Sequence, residues 1–94
     1  AELELHWDRP AAELDRLVRL GGAWTTFRGR RLKVLEAHPG LPPTPPAGEL
    51  HDASVGCADR PLVLTVVQPE GKEPMAAAHW RNGARPEPGE RLGG

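Results

Sequence analysis

Five prolines crowd the stretch from Pro39 to Pro46, and no other feature limits the folding of this chain more. Each lacks an amide hydrogen and restricts the residue before it, so neither helix nor sheet can run through the stretch. Residues 39–47 are therefore expected as a surface loop, with regular structure on either side. The rest of the chain shares the tendency: its 94 residues include 11 Gly and 11 Pro, which gives turns and irregular connections a large share. A chain of this length supports one hydrophobic core, and residues 1–94 are expected to form one domain.

Ahead of the proline stretch, Leu3, Leu5 and Trp7 alternate with Glu2, Glu4, His6 and Asp8, the period of a half-buried edge strand. Asp8, Arg9 and Pro10 then read as a helix start, with Asp8 as the cap and Pro10 in the first turn. Ala11, Leu14, Leu17 and Val18 follow on one helical face, Asp15, Arg16 and Arg19 project elsewhere, and Gly21-Gly22 ends the helix. Ala23 to Phe27 suits a strand, Arg28-Gly29 a turn, and Arg31 to Ala37 alternates again, with Leu32 and Val34 inward and Arg31 and Lys33 outward. These two strands are expected to form a hairpin with a basic outer edge.

Beyond the prolines, short strands are expected at Glu49 to His51, Ser54 to Cys57 and Leu62 to Gln68. The last is apolar on both faces, which marks a central strand. Met75 to Asn82, with three alanines, reads as a helix stopped by Gly83 that buries Met75 and Trp80. The tail from Ala84 to Gly94 is expected to be extended, and the three tryptophans to serve the core.

Catalysis needs mutually supporting groups, and this sequence offers few. His6, His38, His51 and His79 are scattered, with no spacing that places two metal ligands on one face. Cys57 is the single cysteine, which excludes an internal disulfide, suits a reducing cytoplasm, and reads as a small buried apolar residue rather than a nucleophile. No phosphate-cradling glycine loop occurs, so no cofactor is expected in this domain. The longest apolar run, Leu62 to Val67 interrupted by Thr65, falls far short of a membrane span. A soluble, monomeric, non-catalytic domain with no membrane partner is expected.

The net charge of −1 conceals an uneven distribution. Residues 16–35 carry Arg16, Arg19, Arg28, Arg30, Arg31 and Lys33 and no acid, while residues 36–59 carry Glu36, Glu49, Asp52 and Asp59 and neither Lys nor Arg. Arg28, Arg30, Arg31 and Lys33 crowd around the hairpin turn, a geometry suited to a phosphate backbone, where such contacts position without reading sequence. A solvated edge whose charges prevent aggregation explains them equally well. From charge alone the two readings stand level.

Several segments in order carry a resemblance: Trp7-Asp8-Arg9-Pro10-Ala11-Ala12, Gly22-Ala23-Trp24-Thr25, Gly29 to Ala37, Gln68 to Lys72 followed by Met75, and Asn82-Gly83 before Pro88-Gly89. Together they resemble the C-terminal domain of bacterial methionyl-tRNA formyltransferases over most of the chain. The resemblance implies an α+β, mostly β fold: an open Greek-key barrel, OB-like, with an N-terminal helix and a short C-terminal helix. It implies that the domain contacts initiator tRNA through positive charge, at Arg28, Arg30, Arg31, Lys33 and Lys72. It also implies that formyl transfer from 10-formyltetrahydrofolate belongs to a preceding Rossmann-like catalytic domain, which these residues do not include. One departure is visible, since the family has several more residues between the first helix and Ala-Trp-Thr, where Leu20 here runs straight into Gly21. The competing reading is a structural appendage of another folate-dependent formyltransferase or hydrolase that touches no RNA.

Overall fold

The computed structural model describes residues 3–93; Glu2, expected to open the first strand, and Gly94, the end of the expected tail, lie outside the described residues. The architecture is mixed, mostly strands with two helices, and the strands join in one open sheet of order β1 (Leu3–Glu4), β2 (Ala23–Phe27), β3 (Arg30–Pro39), β6 (Leu62–Pro69), β5 (Ser54–Val55), β4 (Leu50–His51), with β7 (Met75–Ala76) added to β6. The first strand, β1 (Leu3–Glu4), lies at the sheet edge as expected and runs parallel to β2 (Ala23–Phe27). Leu5 and Trp7 continue its inward alternation as buried residues.

Helix α1 (Ala11–Leu20) buries Ala11, Leu14 and Val18, the expected face, together with Asp15, which was expected to project away from the core. Asp15 Oδ2 lies 3.0 Å from Arg19 Nη2 one turn later, so the buried carboxylate keeps a charged partner. Asp8 does not cap the helix. Pro10 occupies the N-cap, and the Ala11 amide donates instead to Asp59 Oδ1 at 3.0 Å, an acceptor supplied from 48 residues away. That hydrogen bond is the main reason the Asp59 carboxyl titrates below its ordinary value. Gly21 ends the helix at φ 89°, as the glycine pair predicts.

The expected hairpin forms between β2 and β3 (Arg30–Pro39), with Phe27 opposite Arg30 and Trp24 opposite Lys33. Both turn residues adopt positive φ, Arg28 at 53° and Gly29 at 78°, the conformation that lets a two-residue turn match the twist of its strands. Strand β3 runs past the expected end at Ala37 and into the proline stretch, because it pairs along its length with β6 (Leu62–Pro69), from Leu32 opposite Pro69 to Pro39 opposite Leu62. Pairing is irregular around Leu35 and Glu36, where a bulge breaks the alternation: Leu35 faces outward in step with Lys33, and Glu36 after it is exposed as well.

The proline loop folds back on the short hairpin of β4 (Leu50–His51) and β5 (Ser54–Val55), which is trimmed at its outer ends relative to expectation. Gly56 makes the approach possible, since a Cβ there would run into the carbonyl oxygens of Pro45 and Pro46. Strand β6 is central, as its two apolar faces require: β3 covers one edge, while β5 and β7 share the other.

That shared edge corrects the expected second helix. Met75 and Ala76 form β7 against Val67 and Val66 of β6, whose edge is vacant beyond β5, so α2 begins later and spans Ala77–Ala84. Gly83 lies inside α2 instead of stopping it; the stop is Arg85, left-handed at φ 51° and followed by Pro86, which disfavours helix in the residue before it. Trp80 is buried, and Met75 only partly so.

The tail is docked, not merely extended. Leu50 donates to Glu90 O (2.9 Å), Leu92 donates to Gly48 O (2.8 Å), and Gly93 donates to Thr26 O (2.8 Å), so the tail links the β4 margin of the sheet to the β2 margin. Leu92 is buried beneath it. The core gathers Leu5, Leu14, Leu32, Leu62, Leu64 and Val67, and the buried Trp7 indole donates to Thr25 Oγ1 at 3.1 Å. Trp24 departs from the expected core role and lies half-buried on the outer face of β2.

Candidate nucleic-acid interface

The five cations singled out in the sequence fall into three environments. Arg28 is engaged within the domain: Nε and Nη2 donate to the two carboxylate oxygens of Glu90 at 2.6 and 2.8 Å, and Nη1 donates to Ala84 O at 2.9 Å. Its guanidinium also lies 4.6 Å from the Phe27 ring centroid. The Arg28 hydrogen bonds, with the Glu87 amide, hold the Glu90 carboxyl down at about 2. Lys33 stands apart on the outer face of β3, exposed and opposite Trp24 and Gln68.

Arg30, Arg31 and Lys72 converge on one groove of about 320 Å³ between the hairpin turn, the β6–β7 turn and α2. The two turns bring them there for local reasons. The Arg28-Gly29 turn reverses β2 into β3 and leaves Arg30 exposed at the strand start. The β6–β7 turn is pinned by the Lys72 amide on Pro69 O (3.0 Å) and by Gln68 Nε2 on Lys72 O (2.9 Å), with Gly71 at φ 76°. Arg31 stacks over Trp24, guanidinium carbon 4.0 Å from the ring centroid, and its strand is tied to the turn by Arg31 N to Glu70 Oε1 (3.2 Å) and Glu70 N to Arg31 O (3.0 Å).

The wall of the groove was not foreseen. Phe27, Met75 and Trp80 form its apolar side, and exposed His79 of α2 stands beside them. Met75 and Trp80 read as buried in the sequence, Phe27 as a strand residue and His79 as one scattered histidine; nothing local indicates that α2 returns to the basic turn. A larger depression of about 580 Å³ lies between the β4–β5 hairpin and the tail, where two carboxylates already have partners. There Arg81 meets Asp52 at 2.9 Å and His51 meets Glu49 at 2.6 Å.

A covalent role for Cys57 does not fit its setting, because burial pushes the thiol up to about 12. No group of three or more His, Cys, Asp or Glu that could hold a metal ion occurs among the described residues. No helix among them is long and apolar enough to cross a membrane.

Residues 1–85 match the model of the formyl transferase C-terminal domain. The chain belongs to that family. Within it, the domain is similar to the methionyl-tRNA formyltransferases of Parafrankia sp. (strain EAN1pec), 47% identical over 96 residues and 90% of this chain, and of Thermobifida fusca, 47% identical over 94 residues and 89% of this chain. That of Streptomyces coelicolor is 42% identical over 101 residues, covering 98% of this chain. The formyl transferase C-terminal domain described here spans about a third of these relatives, 31%, 30% and 33% of their lengths.

Proposed function

We propose that this domain holds initiator Met-tRNA by nonspecific phosphate contacts while a separate catalytic domain transfers the formyl group from 10-formyltetrahydrofolate. The observation that carries it is the convergence of Arg30, Arg31 and Lys72 from two turns on one groove of a domain whose relatives are methionyl-tRNA formyltransferases. Lys33 extends the positive surface along β3. Arg28 serves the surface indirectly, by fixing the hairpin turn to the tail through Glu90. The β3 bulge and the tail that links both sheet margins support an open Greek-key, OB-like barrel. On this reading the domain works in the cytoplasm, in a monomeric enzyme.

The test is a titration of initiator tRNA against the chain at low and moderate salt. Three phosphate contacts, from Arg30, Lys33 and Lys72, weaken binding roughly 40-fold between about 50 and about 200 mM salt. Replacing those three by alanine should lower affinity at low salt and flatten the salt dependence; unchanged affinity removes the basic surface from the account. A second reading, the structural appendage, draws on one specific fact: Arg28, the first cation of the hairpin, already spends its hydrogen bonds inside the domain. Absence of tRNA binding at low salt would favour it.

A further inference from the structure

We propose that the groove between the hairpin turn and α2 receives a single unpaired nucleotide of a bound RNA, its ring against the Phe27, Met75 and Trp80 wall and its phosphate between Arg30 and Lys72. The inference rests on the tRNA-holding function proposed above and goes beyond it, because phosphate contacts alone require no cavity.

Phe27 and Trp80 meet nearly edge to face, centroids 5.1 Å apart and planes at 76°, so their accessible parts form an apolar corner and not a flat platform. Met75 adds a polarizable thioether, a group that packs well against aromatic rings. The volume of about 320 Å³ lies at the small end for ligand pockets, right for one ring system and too small for a helix or a peptide strand. Cations rise on both sides, Arg30 from the β2–β3 turn and Lys72 from the β6–β7 turn, both exposed, and the one carboxylate of the lining, Glu70, is engaged by the Arg31 amide at 3.2 Å. His79 adds a ring that can donate or accept a hydrogen bond.

Charge and shape together select the occupant. A wholly apolar ligand would leave the cations unused, and a bare phosphate would leave the aromatic corner unused. A nucleotide uses both. Its base must be unpaired, because a base inside a duplex is stacked on its neighbours and cannot enter a side pocket without being extruded.

Gly83 provides a way to close the groove without disturbing the fold. It lines the groove from within α2, a Cβ added there meets nothing within 4 Å, and its φ lies outside the left-handed region. Gly83→Leu therefore fills space while improving helix propensity.

The experiment compares two RNA duplexes of the same length, one fully paired and one with a single bulged nucleotide, binding to the full chain at fixed salt with tryptophan emission as a second readout. The bulged duplex should bind roughly 5-fold tighter or more, in keeping with removal of about 40 Å² of apolar ring surface from water in the corner, and should alter tryptophan emission. Gly83→Leu should abolish the preference and leave the fully paired duplex bound as before. Equal affinity for the two duplexes, or a preference that survives Gly83→Leu, overturns the pocket while leaving the phosphate-holding function in place. If neither duplex binds, both fall. Tighter binding of an acidic peptide of matched charge than of the bulged duplex would assign the groove to a protein partner and overturn the proposal.

Discussion

Arg28 and Glu90, 62 residues apart, are joined by two parallel hydrogen bonds of 2.6 and 2.8 Å. The pair ties the tip of the basic hairpin to the tail, and Arg28 reaches past it to the carbonyl oxygens of Ala84 and Arg85 at the end of α2. The hairpin tip, the end of α2 and the tail that follows it are thereby fastened at one guanidinium, whose planar fork suits bidentate recognition of a carboxylate.

This pair should make stability sensitive to acid. The folded Glu90 carboxyl titrates at about 2, below its ordinary 4.5, so its contribution is complete above 4.5 and is lost as pH falls toward about 2. Glu90→Gln should be less stable than the parent at neutral pH, and the difference should shrink to nothing at the acid end. Urea unfolding of both chains across that range measures it. A difference that stays constant with pH would rule out the ion pair as its source.

The buried Trp7 indole depends on Thr25, which is 1% exposed and accepts its hydrogen bond. Thr25→Val keeps the shape and removes the acceptor, leaving a buried donor unsatisfied at a cost of about 1–3 kcal/mol. Thr25→Ser, which keeps the oxygen, should recover part of that loss. Equilibrium unfolding of the three chains decides, and a valine variant as stable as the parent would refute the role.

Gly56 should tolerate no side chain. The proline loop crosses it so closely that an added Cβ would strike two backbone carbonyls, atoms that cannot swing aside as a flexible side chain can. Gly56→Ala is expected to destabilise by about 3 kcal/mol or more, at the upper end of overpacking costs, unless the loop detaches. Gly71→Ala, where added atoms meet open space but φ is 76°, should be milder. The comparison of their unfolding midpoints separates collision from backbone strain.

Cys57 is buried, with its thiol pushed up to about 12, so at pH 8 almost no thiolate is present and no reagent can reach it. Alkylation by iodoacetamide should proceed only through opening of the fold and accelerate with urea. Rapid labelling of the native chain would contradict the burial.

What the sequence revealed was chiefly local. The Arg28-Gly29 turn, the glycine stop after Leu20 and the doubly apolar β6 each depend on residues close in the chain, and each is where the periodicity predicts. The departures come from partners that are distant. Asp59 displaces Asp8 as the α1 cap from 48 residues away, and the vacant edge of β6 draws Met75 and Ala76 out of a helical pattern. Trp24 lies on the outer face because Ala23 and Thr25 on either side of it turn inward, and Arg31 stacks on it there. The groove was legible only by halves: its cations stand out as a charge cluster, whereas its aromatic wall is indistinguishable in sequence from core.

The match to the family model stops at residue 85, yet the segment after it spans both margins of the sheet. A version of the domain trimmed at that point would strip partners from the Gly48 and Thr26 carbonyls and the Leu50 amide, leave a socket where Leu92 sits, and release Arg28 from Glu90. Two bare strand margins on so small a body are templates for pairing between copies. Residues 90–93 thus act as a selvedge, hemming both margins of the sheet.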